Sequence, residues 1–138
     1  TLEYVNAGHC PPFLRRADGT VETLGPTRPV LGLVNQPGAH AERQRLSAGD
    51  SLALYTDGIS EAVDASGEEF GPERLRELLG QEGHFTLPER HAFALAGVRG
   101  YASSQLTDDA TLVLISIGGD GSTAAAISSE ASCAQPQS

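Results

Sequence analysis

The sequence has few of the features that mark membrane, secreted or nucleic-acid-binding proteins. Its 138 residues include no methionine, two cysteines, and 9 basic residues against 18 acidic ones, for a formal net charge of −9. The basic residues do not cluster, so we expect neither nucleic acid nor an anionic membrane as a partner. No apolar run approaches the roughly 20 residues that cross a bilayer, and no secretory signal pattern is present. Cys10 and Cys133 have no CxxC or metal-ligand spacing, which favours a reducing, cytoplasmic setting.

The length allows one domain with a hydrophobic core. The chain opens inside a predicted strand, residues 2–5, and has no initiating methionine, so we expect a segment of a longer protein. From Gly118 onward, Gly, Ser, Ala and Gln leave too little apolar mass to pack, which predicts a disordered tail over residues 118–138. The folded part is therefore predicted over residues 1–117.

The most informative stretch is residues 52–62, which read Leu-Ala-Leu-Tyr-Thr-Asp-Gly-Ile-Ser-Glu-Ala. The apolar run Ser51–Tyr55 lies between a Gly-Asp pair and an Asp-Gly pair. A short apolar run between turn residues predicts a buried strand. Asp57 then lies at the end of the strand. Gly58 lets the backbone come close to a ligand or an ion beside the Asp57 carboxylate.

A second acidic pair, Asp108 and Asp109, precedes another apolar β-type run over residues 111–117. If the two strands are neighbours in one sheet, Asp57 and Asp108 come together and offer hard oxygen ligands to Mg²⁺ or Mn²⁺. The simpler alternative is structural, because Asp-Gly is a common turn and an acid before a strand is often a cap.

The polar residues allow two further interpretations. A calcium loop from Asp57 to Glu68 fails, because Ile59 and Ala62 replace an oxygen ligand and the required glycine. His9 lies in a glycine loop, where it either orients a phosphate or an acid or is simply exposed.

The remaining segments predict a mixture of strands and helices. A hairpin is expected over residues 13–16 and 21–24 around Asp18-Gly19, followed by an apolar segment at 30–34 and an edge strand within 40–46. After a polar loop at 63–70, one helix starts at Gly71-Pro72 and stops near Gly80. A second helix of about four turns starts at the capping box of Thr86 and Glu89, and a loop follows at 103–107.

Three separated motifs together resemble one family. Residues 6–12, 49–62 and 108–114 are similar, in this order, to the PPM (PP2C-like) metal-dependent protein phosphatases of the bacterial SpoIIE/RsbU type. Residues 31–33 and 70–75 also agree. Three ordered motifs of this length are far less expected by chance than any one of them.

The resemblance implies an α+β fold, a PP2C-like α-β-β-α sandwich of antiparallel sheets with two Mg²⁺ or Mn²⁺ ions at one end. It implies that Asp57 and Asp108 are metal ligands and that Gly58, Asp109, Thr111 and His9 lie near the site. The implied reaction is hydrolysis of phosphoserine or phosphothreonine by a metal-activated water. The absence of a GxSxG elbow and of a cysteine phosphate loop agrees with this chemistry.

The chain also departs from the family. It has neither the early Gly-Asp element nor the Asp-Gly-His-Gly motif that supplies the acid bridging both metals, so the fold is expected to be incomplete at its N-terminal side. We therefore expect the segment to be inactive alone. In a longer protein, the resemblance implies partner-switching signalling with a phosphorylated anti-sigma-factor antagonist as substrate. The alternatives are a non-catalytic regulatory or interaction module and an acidic scaffold without a site.

Overall fold

A computed structural model describes residues 1–28, 40–102, 106 and 109–130. The predicted apolar segment at 30–34, most of the predicted loop at 103–107, and residues 131–138 lie outside this described part. In chain order, the elements are β1 (Leu2–Tyr4), β2 (Phe13–Arg15), β3 (Val21–Thr23), β4 (Glu42–Gln44), β5 (Ser51–Tyr55), α1 (Asp57–Ser60), α2 (Gly71–Gly80), α3 (Leu87–Tyr101), β6 (Ala110–Ile117) and β7 (Thr123–Glu130).

A five-stranded antiparallel sheet with the order β3-β2-β5-β6-β7 organises the described residues. The predicted strand Ser51–Tyr55 is confirmed as β5, in the middle of this sheet. Phe13 lies opposite Ala53, and Tyr55 lies opposite Leu112. Because β5 is antiparallel to both neighbours, its C-terminal end lies beside the N-terminal ends of β2 and β6.

Alternate residues of the central strands face the helices and form the core. Phe13 and Tyr55 stack with ring centroids 5.4 Å apart, and Leu112 and Leu114 continue the same face on β6. From the helices, the buried partners are Leu75, Leu79, Ala94, Leu95 and Val98. Each large apolar side chain buried in this way contributes about 1.5–3 kcal/mol to stability.

Both helices follow the sequence prediction. Helix α2 has proline in its first turn, where a missing amide proton costs nothing, and it buries Leu75 and Leu79 one turn apart. Helix α3 begins with the predicted capping box, in which the Thr86 hydroxyl accepts from the Glu89 amide and the Glu89 carboxylate accepts from the Thr86 amide.

The predicted hairpin is also confirmed, since β2 and β3 pair antiparallel around Asp18 and Gly19. Gly19 has φ +92°, a left-handed conformation that glycine adopts without strain. The edge strand expected within residues 40–46 is shorter than predicted: β4 covers Glu42–Gln44 and pairs with β1 in a separate two-stranded sheet.

The disordered tail predicted from Gly118 is wrong for residues 123–130. These residues form β7. It is antiparallel to β6 and pairs with it along its whole length, with Thr123 opposite Ile117 at one end and Glu130 opposite Ala110 at the other. The prediction relied on side-chain hydrophobicity, whereas backbone hydrogen bonds to β6 are what stabilise this strand. The remainder of the predicted tail, residues 131–138, lies outside the described part.

The turn before β5 contains a buried acid. Asp50 is 2 % exposed, and its carboxylate accepts from the amides of Ala17 and Ser47 and from the Arg16 guanidinium. Burial alone would raise the pKa of Asp50, but these hydrogen bonds outweigh burial and lower it. Arg16 also forms an ion pair with Glu22, with Nε 2.7 Å from Oε1. Asp50 is therefore a structural residue at the end of β5 opposite to Asp57.

Within the described residues, no helix combines the length and apolar character needed to cross a membrane.

Candidate functional site

The candidate site lies where β5 ends, and Asp57 is its exposed carboxylate. Asp57 opens the short helix α1 directly after Thr56, which has an extended backbone with φ −91° and ψ 163°. One carboxylate oxygen of Asp57 accepts from the Gly58 amide at 3.0 Å, and the Asp57 carbonyl accepts from the Ser60 hydroxyl at 3.2 Å. The bond from Gly58 orients the carboxylate, which stays accessible from solvent, and the bond from Ser60 holds the backbone of the turn.

The Thr56 hydroxyl ties this turn to the beginning of β6. It accepts from the Thr111 amide at 2.9 Å and donates to the Asp109 carbonyl at 3.1 Å. The Thr56 amide in turn donates to the Thr111 carbonyl at 3.1 Å. Three hydrogen bonds therefore hold the residue before Asp57 against the residues that follow Asp108.

Gly58 is required here by close packing. A Cβ atom at this position would overlap the Asp109 carbonyl oxygen and lie 2.8 Å from the Asp109 carbonyl carbon. Gly58 itself is buried between α1 and the beginning of β6. The sequence predicts that Gly58 lets the backbone come close to a ligand or an ion beside Asp57, and this stays a prediction. In the structure, the side of Gly58 where a Cβ would lie faces the backbone of Asp109 and Ala110.

The second predicted ligand, Asp108, lies outside the described residues, so its position relative to Asp57 stays a prediction. Its neighbour Asp109 is exposed at the entrance to β6. Thr111 lies beside Thr56 through backbone contacts, but its own hydroxyl donates to the Ser129 hydroxyl of β7 at 3.0 Å. Thr111 therefore places the end of β6 near Asp57 without directing its side chain there.

The loop at residues 6–10 reaches the same end of the sheet. Asn6 is buried and braces the loop, because its side chain donates to the His9 carbonyl and accepts from the His9 amide at 2.9 Å. Gly8 has φ +102°, which this tight loop requires. The His9 side chain is exposed and lines an apolar pocket of about 270 Å³ with Leu52 and Leu54. Within the described part of the chain, no hydrogen bond or ion pair joins His9 to Asp57.

Cys10, rather than His9, is the loop residue that interacts with the Asp57 turn. Burial raises the pKa of the Cys10 thiol, and the negative charges of Asp57 and Glu61 raise it further. The thiol therefore stays protonated at neutral pH. We expect it to pack beside the site as a neutral, poorly nucleophilic group.

Sequence reasoning missed Thr56 and Cys10. Thr56 had only a partial signal: a threonine directly before Asp-Gly predicts an N-cap, but its hydroxyl makes no capping bond to α1 and instead contacts Asp109 and Thr111. Cys10 had none, since its relevance depends on β2 and β5 being neighbours, which residue spacing alone does not specify.

Oxygen donors at the ends of two paired strands are the type that Mg²⁺ and Mn²⁺ prefer. The described residues, however, bring no three His, Cys, Asp or Glu side chains together into a possible metal cluster. The described residues therefore do not fit a divalent cation on their own, and the role of Asp57 as a metal ligand stays a prediction.

Comparison with known proteins agrees with this fold. The sequence matches the family described as stage II sporulation protein E (SpoIIE) over residues 1–118. It is 35 % identical over 78 residues to Protein IcfG of Synechocystis sp., which is 56 % of this chain and 12 % of that protein.

A solved structure of the PP2C phosphatase domain and a fragment of the regulatory domain of SpoIIE from Bacillus subtilis is similar, with a TM-score of 0.69 and 23 % identity. The similarity covers 83 % of this chain and 33 % of that chain. At this identity the similarity shows the fold, and the chain spans only a minor part of both relatives. Because the family match covers residues 1–118 of 138, the chain belongs to the SpoIIE family and has the fold of part of a PP2C-type phosphatase domain.

Proposed function

We propose that this chain supplies the Asp57 and Asp108 ligands of a metal-dependent protein serine/threonine phosphatase and is inactive without the rest of its domain. The observation that carries the proposal is the Thr56 hydroxyl, which joins the turn before Asp57 to Asp109 and to Thr111 of β6. Two acids can share a cation only if the ends of their strands lie close together. These hydrogen bonds hold the residue before Asp57 beside the residue after Asp108.

When bound, divalent cations supply a water of lowered pKa and neutralise charge on the phosphoryl oxygens. The residues of this chain have supporting roles. Asp57 presents an exposed carboxylate to the cation, Thr56 and Gly58 fix its distance from β6, and the neutral Cys10 adds no competing charge. Asp109 adds a second carboxylate next to Asp108 in the sequence. None of the described residues acts as a covalent nucleophile in this proposal.

The proposed substrate is a phosphoserine or phosphothreonine in a protein. Within a bacterial partner-switching pathway in the cytoplasm, that protein would be a phosphorylated anti-sigma-factor antagonist. The support is membership of the SpoIIE family over residues 1–118. A phosphorylated protein of this kind can be compared directly with a phosphotyrosine peptide, which a serine/threonine phosphatase of this type is expected to cleave poorly.

The test measures hydrolysis of p-nitrophenyl phosphate with Mn²⁺ by the 138-residue chain and by the longer protein that contains it. We expect turnover in the longer protein only. There, Asp57→Asn and Asp108→Asn should each lower activity by about a hundredfold or more, since even residues that only orient metal ligands cost 10–100-fold. The matched control is Glu77→Gln, the same loss of one acid on the exposed side of α2.

Appreciable turnover by the 138-residue chain would contradict the proposed dependence on further acids. Full activity of Asp57→Asn in the longer protein would contradict the metal role of Asp57. If Asp57→Asn lowered activity by the same factor as Glu77→Gln, only the overall charge of the protein would matter.

A second candidate is a non-catalytic regulatory or interaction module with the same fold. It is favoured by the incomplete set of metal-binding side chains among the described residues. The upstream coding sequence distinguishes the two candidates. An in-frame Gly-Asp element and an Asp-Gly-His-Gly motif support the enzyme, whereas an unrelated upstream sequence supports the module.

A further inference from the structure

A second cavity, which is polar, lies at the opposite end of β5 from Asp57. Its volume is about 250 Å³, and it lies between the sheet and the connection from α2 to α3. Three of its lining residues, Arg15, Ser51 and Ser116, are register partners on β2, β5 and β6. These three residues form a polar row across the sheet, at the edge of the face that the helices cover. His84 and Arg90 line the cavity from the helical side.

Two guanidinium groups converge beside this cavity. Arg15 Nε donates to the Leu79 carbonyl at 3.0 Å, and Arg90 Nη1 donates to the same oxygen at 2.9 Å and to the Gln81 carbonyl at 3.0 Å. The Arg90 guanidinium also lies over the Phe85 ring, 4.9 Å from its centroid. These contacts fix both side chains while using only some of their N–H groups. Arg15 Nη2 and Arg90 Nη2 have no hydrogen-bond partner in the described part of the chain.

Neither arginine has an ion-pair partner in the part of the chain that the structure describes. The exposed Asp18 interacts with Arg15 only weakly: hydrogen bonds from Thr20 are the main cause of its lowered pKa, and the Arg15 charge adds a smaller effect. Arg90 is 6 % exposed. Burial lowers its pKa, and the Arg15 charge lowers it further. The charges of the buried Arg90 and the half-buried Arg15 repel each other, and a bound anion would relieve this cost.

Neutral donors complete the lining. The hydroxyls of Ser51 and Ser116 have no side-chain hydrogen bond to any described residue, and the His84 ring adds another polar group. Guanidinium and hydroxyl donors arranged around a small cavity suit a tetrahedral oxyanion, since arginine binds phosphate through two parallel N–H groups. The cavity lies below the range of about 300–1,000 Å³ that is usual for drug-sized ligands.

We propose that this cavity is an anion site that binds the phosphoryl group of a small ligand, either free phosphate or a small phosphomonoester. Arg15 and Arg90 provide the charge, while Ser51 and Ser116 provide hydroxyl donors. The site is separate from Asp57 and needs no metal, so it does not rest on the proposed phosphatase activity. It is also a local basic site on a chain whose net charge is −9.

The experiment titrates sodium phosphate and glycerol 2-phosphate into the 138-residue chain by calorimetry, in EDTA and at constant ionic strength. We expect saturable phosphate binding, with shifts of the backbone amide signals of Ser51, His84 and Ser116 in NMR spectra. Arg15→Met should weaken binding by about tenfold, the usual effect of removing one charge-assisted contact. Arg90 still donates to the Leu79 carbonyl in that variant, so this carbonyl at the end of α2 keeps a hydrogen-bond partner.

Two controls locate the binding. Arg76→Gln removes the same charge from an exposed ion pair on α2 and should leave phosphate binding unchanged. The double variant Ser51→Ala and Ser116→Ala, which retains both arginines, should weaken it. Asp57→Asn should bind phosphate normally, which separates this site from the proposed phosphatase site.

Binding of phosphate alone would identify free phosphate as the ligand. Tighter binding of glycerol 2-phosphate would identify a small phosphomonoester, and equal binding would show that the site recognises only the phosphoryl oxygens that both compounds share. The absence of saturable binding, or binding unaffected by Arg15→Met and by the serine double variant, would overturn the proposal. In that case the arginines serve only to hold the end of α2.

Discussion

Gly58 packs directly against the backbone that precedes β6, so it is the residue near Asp57 where a single methyl group matters most. Gly58→Ala forces the Asp109 carbonyl to move and should reduce the free energy of unfolding by about 2–4 kcal/mol. Urea denaturation measures the change. The matched control is Gly100→Ala in α3, where a Cβ has open space and where alanine should stabilise the helix by about 0.5–1 kcal/mol. Equal effects of the two substitutions would contradict the packing argument.

Asp50 should make the stability depend on pH on the acid side. Its pKa is lowered in the folded state from the ordinary 3.8, so its contribution is complete above about pH 4 and is lost as the pH falls through the folded value. Asp50→Asn removes a carboxylate that accepts from Arg16, Ala17 and Ser47, which should cost about 2–4 kcal/mol at pH 7.

Urea denaturation of the wild type and Asp50→Asn at pH 7, 5 and 3 tests this expectation. The difference between them should shrink at pH 3. Glu77→Gln, an exposed acid on α2, is the control and should differ little from the wild type throughout. A pH-independent difference would show that Asp50 is held by packing rather than by its charge.

At this scale the sequence identified residue types better than it identified contacts. Asp57 and Gly58 stand out in the sequence because an acid and a glycine follow a short apolar run. The partners of Thr56 could not be read from the chain, because Asp109 is 53 residues away and the contact exists only once β5 and β6 pair. The packing of Gly58 against the Asp109 backbone could not be read from the chain either, and the predicted approach of a ligand or an ion to Gly58 stays a prediction.

Among the elements, β7 is the one whose removal has a specific expected signature. It pairs with β6 over eight residues, and its Ile127 is 66 % exposed, so backbone hydrogen bonds contribute more than side-chain burial. A chain ending at Ser122 should keep its core. Amides of β6 that face β7 should exchange with deuterium much faster, while those that face β5 stay protected.

Hydrogen exchange followed by NMR resolves the two sets, because they alternate along β6. The substitution Ile127→Thr in the full chain is the control and should leave both sets protected, since it keeps the backbone pairing. Loss of protection in both sets on truncation would mean that β7 is needed for the whole sheet. Unchanged protection would mean that β7 does not pair in solution.

Elements with a clear local signal in the sequence were predicted well. β5 is a short apolar run between turn residues, and α2 and α3 carry helical spacing together with a proline start or a capping box. β7 has neither signal, because alanine and serine fit helix, strand and loop almost equally. Its conformation is decided by the open edge of β6, which is a tertiary effect.

For the whole molecule, the decisive quantity is how tightly a divalent cation binds with and without the rest of the domain. We expect 1 mM Mn²⁺ to change the melting temperature of the 138-residue chain only slightly, because its described residues offer no three-ligand cluster. The longer protein should be stabilised clearly, by about 3 kcal/mol if the dissociation constant is near 10 µM. Asp57→Asn should abolish that stabilisation.

Differential scanning fluorimetry with and without EDTA measures both shifts. Glu77→Gln controls for weak, nonspecific Mn²⁺ binding to an acidic surface. A large shift in the 138-residue chain alone would mean that its own acids complete a site. No shift in the longer protein would favour the acidic scaffold without a site.

The family and the fold class could be recognised because three motifs occur in the right order, and each motif is local in sequence. The polar cavity at Arg15 and Arg90 could not be recognised in this way. Its residues come from β2, β5, β6, α3 and the connection before α3, and they meet only because Arg15, Ser51 and Ser116 share one row of the sheet beneath that helix start.

The Thr56 hydroxyl has a mechanical consequence. Since one oxygen both accepts from β6 and donates to the segment before it, the turn at Asp57 and the beginning of β6 cannot fluctuate separately without breaking two bonds at once. Thermal motion should displace them as one rigid body. Any adjustment needed to admit ligands of different size would then have to come from the opposite wall, built by whatever segment faces these turns.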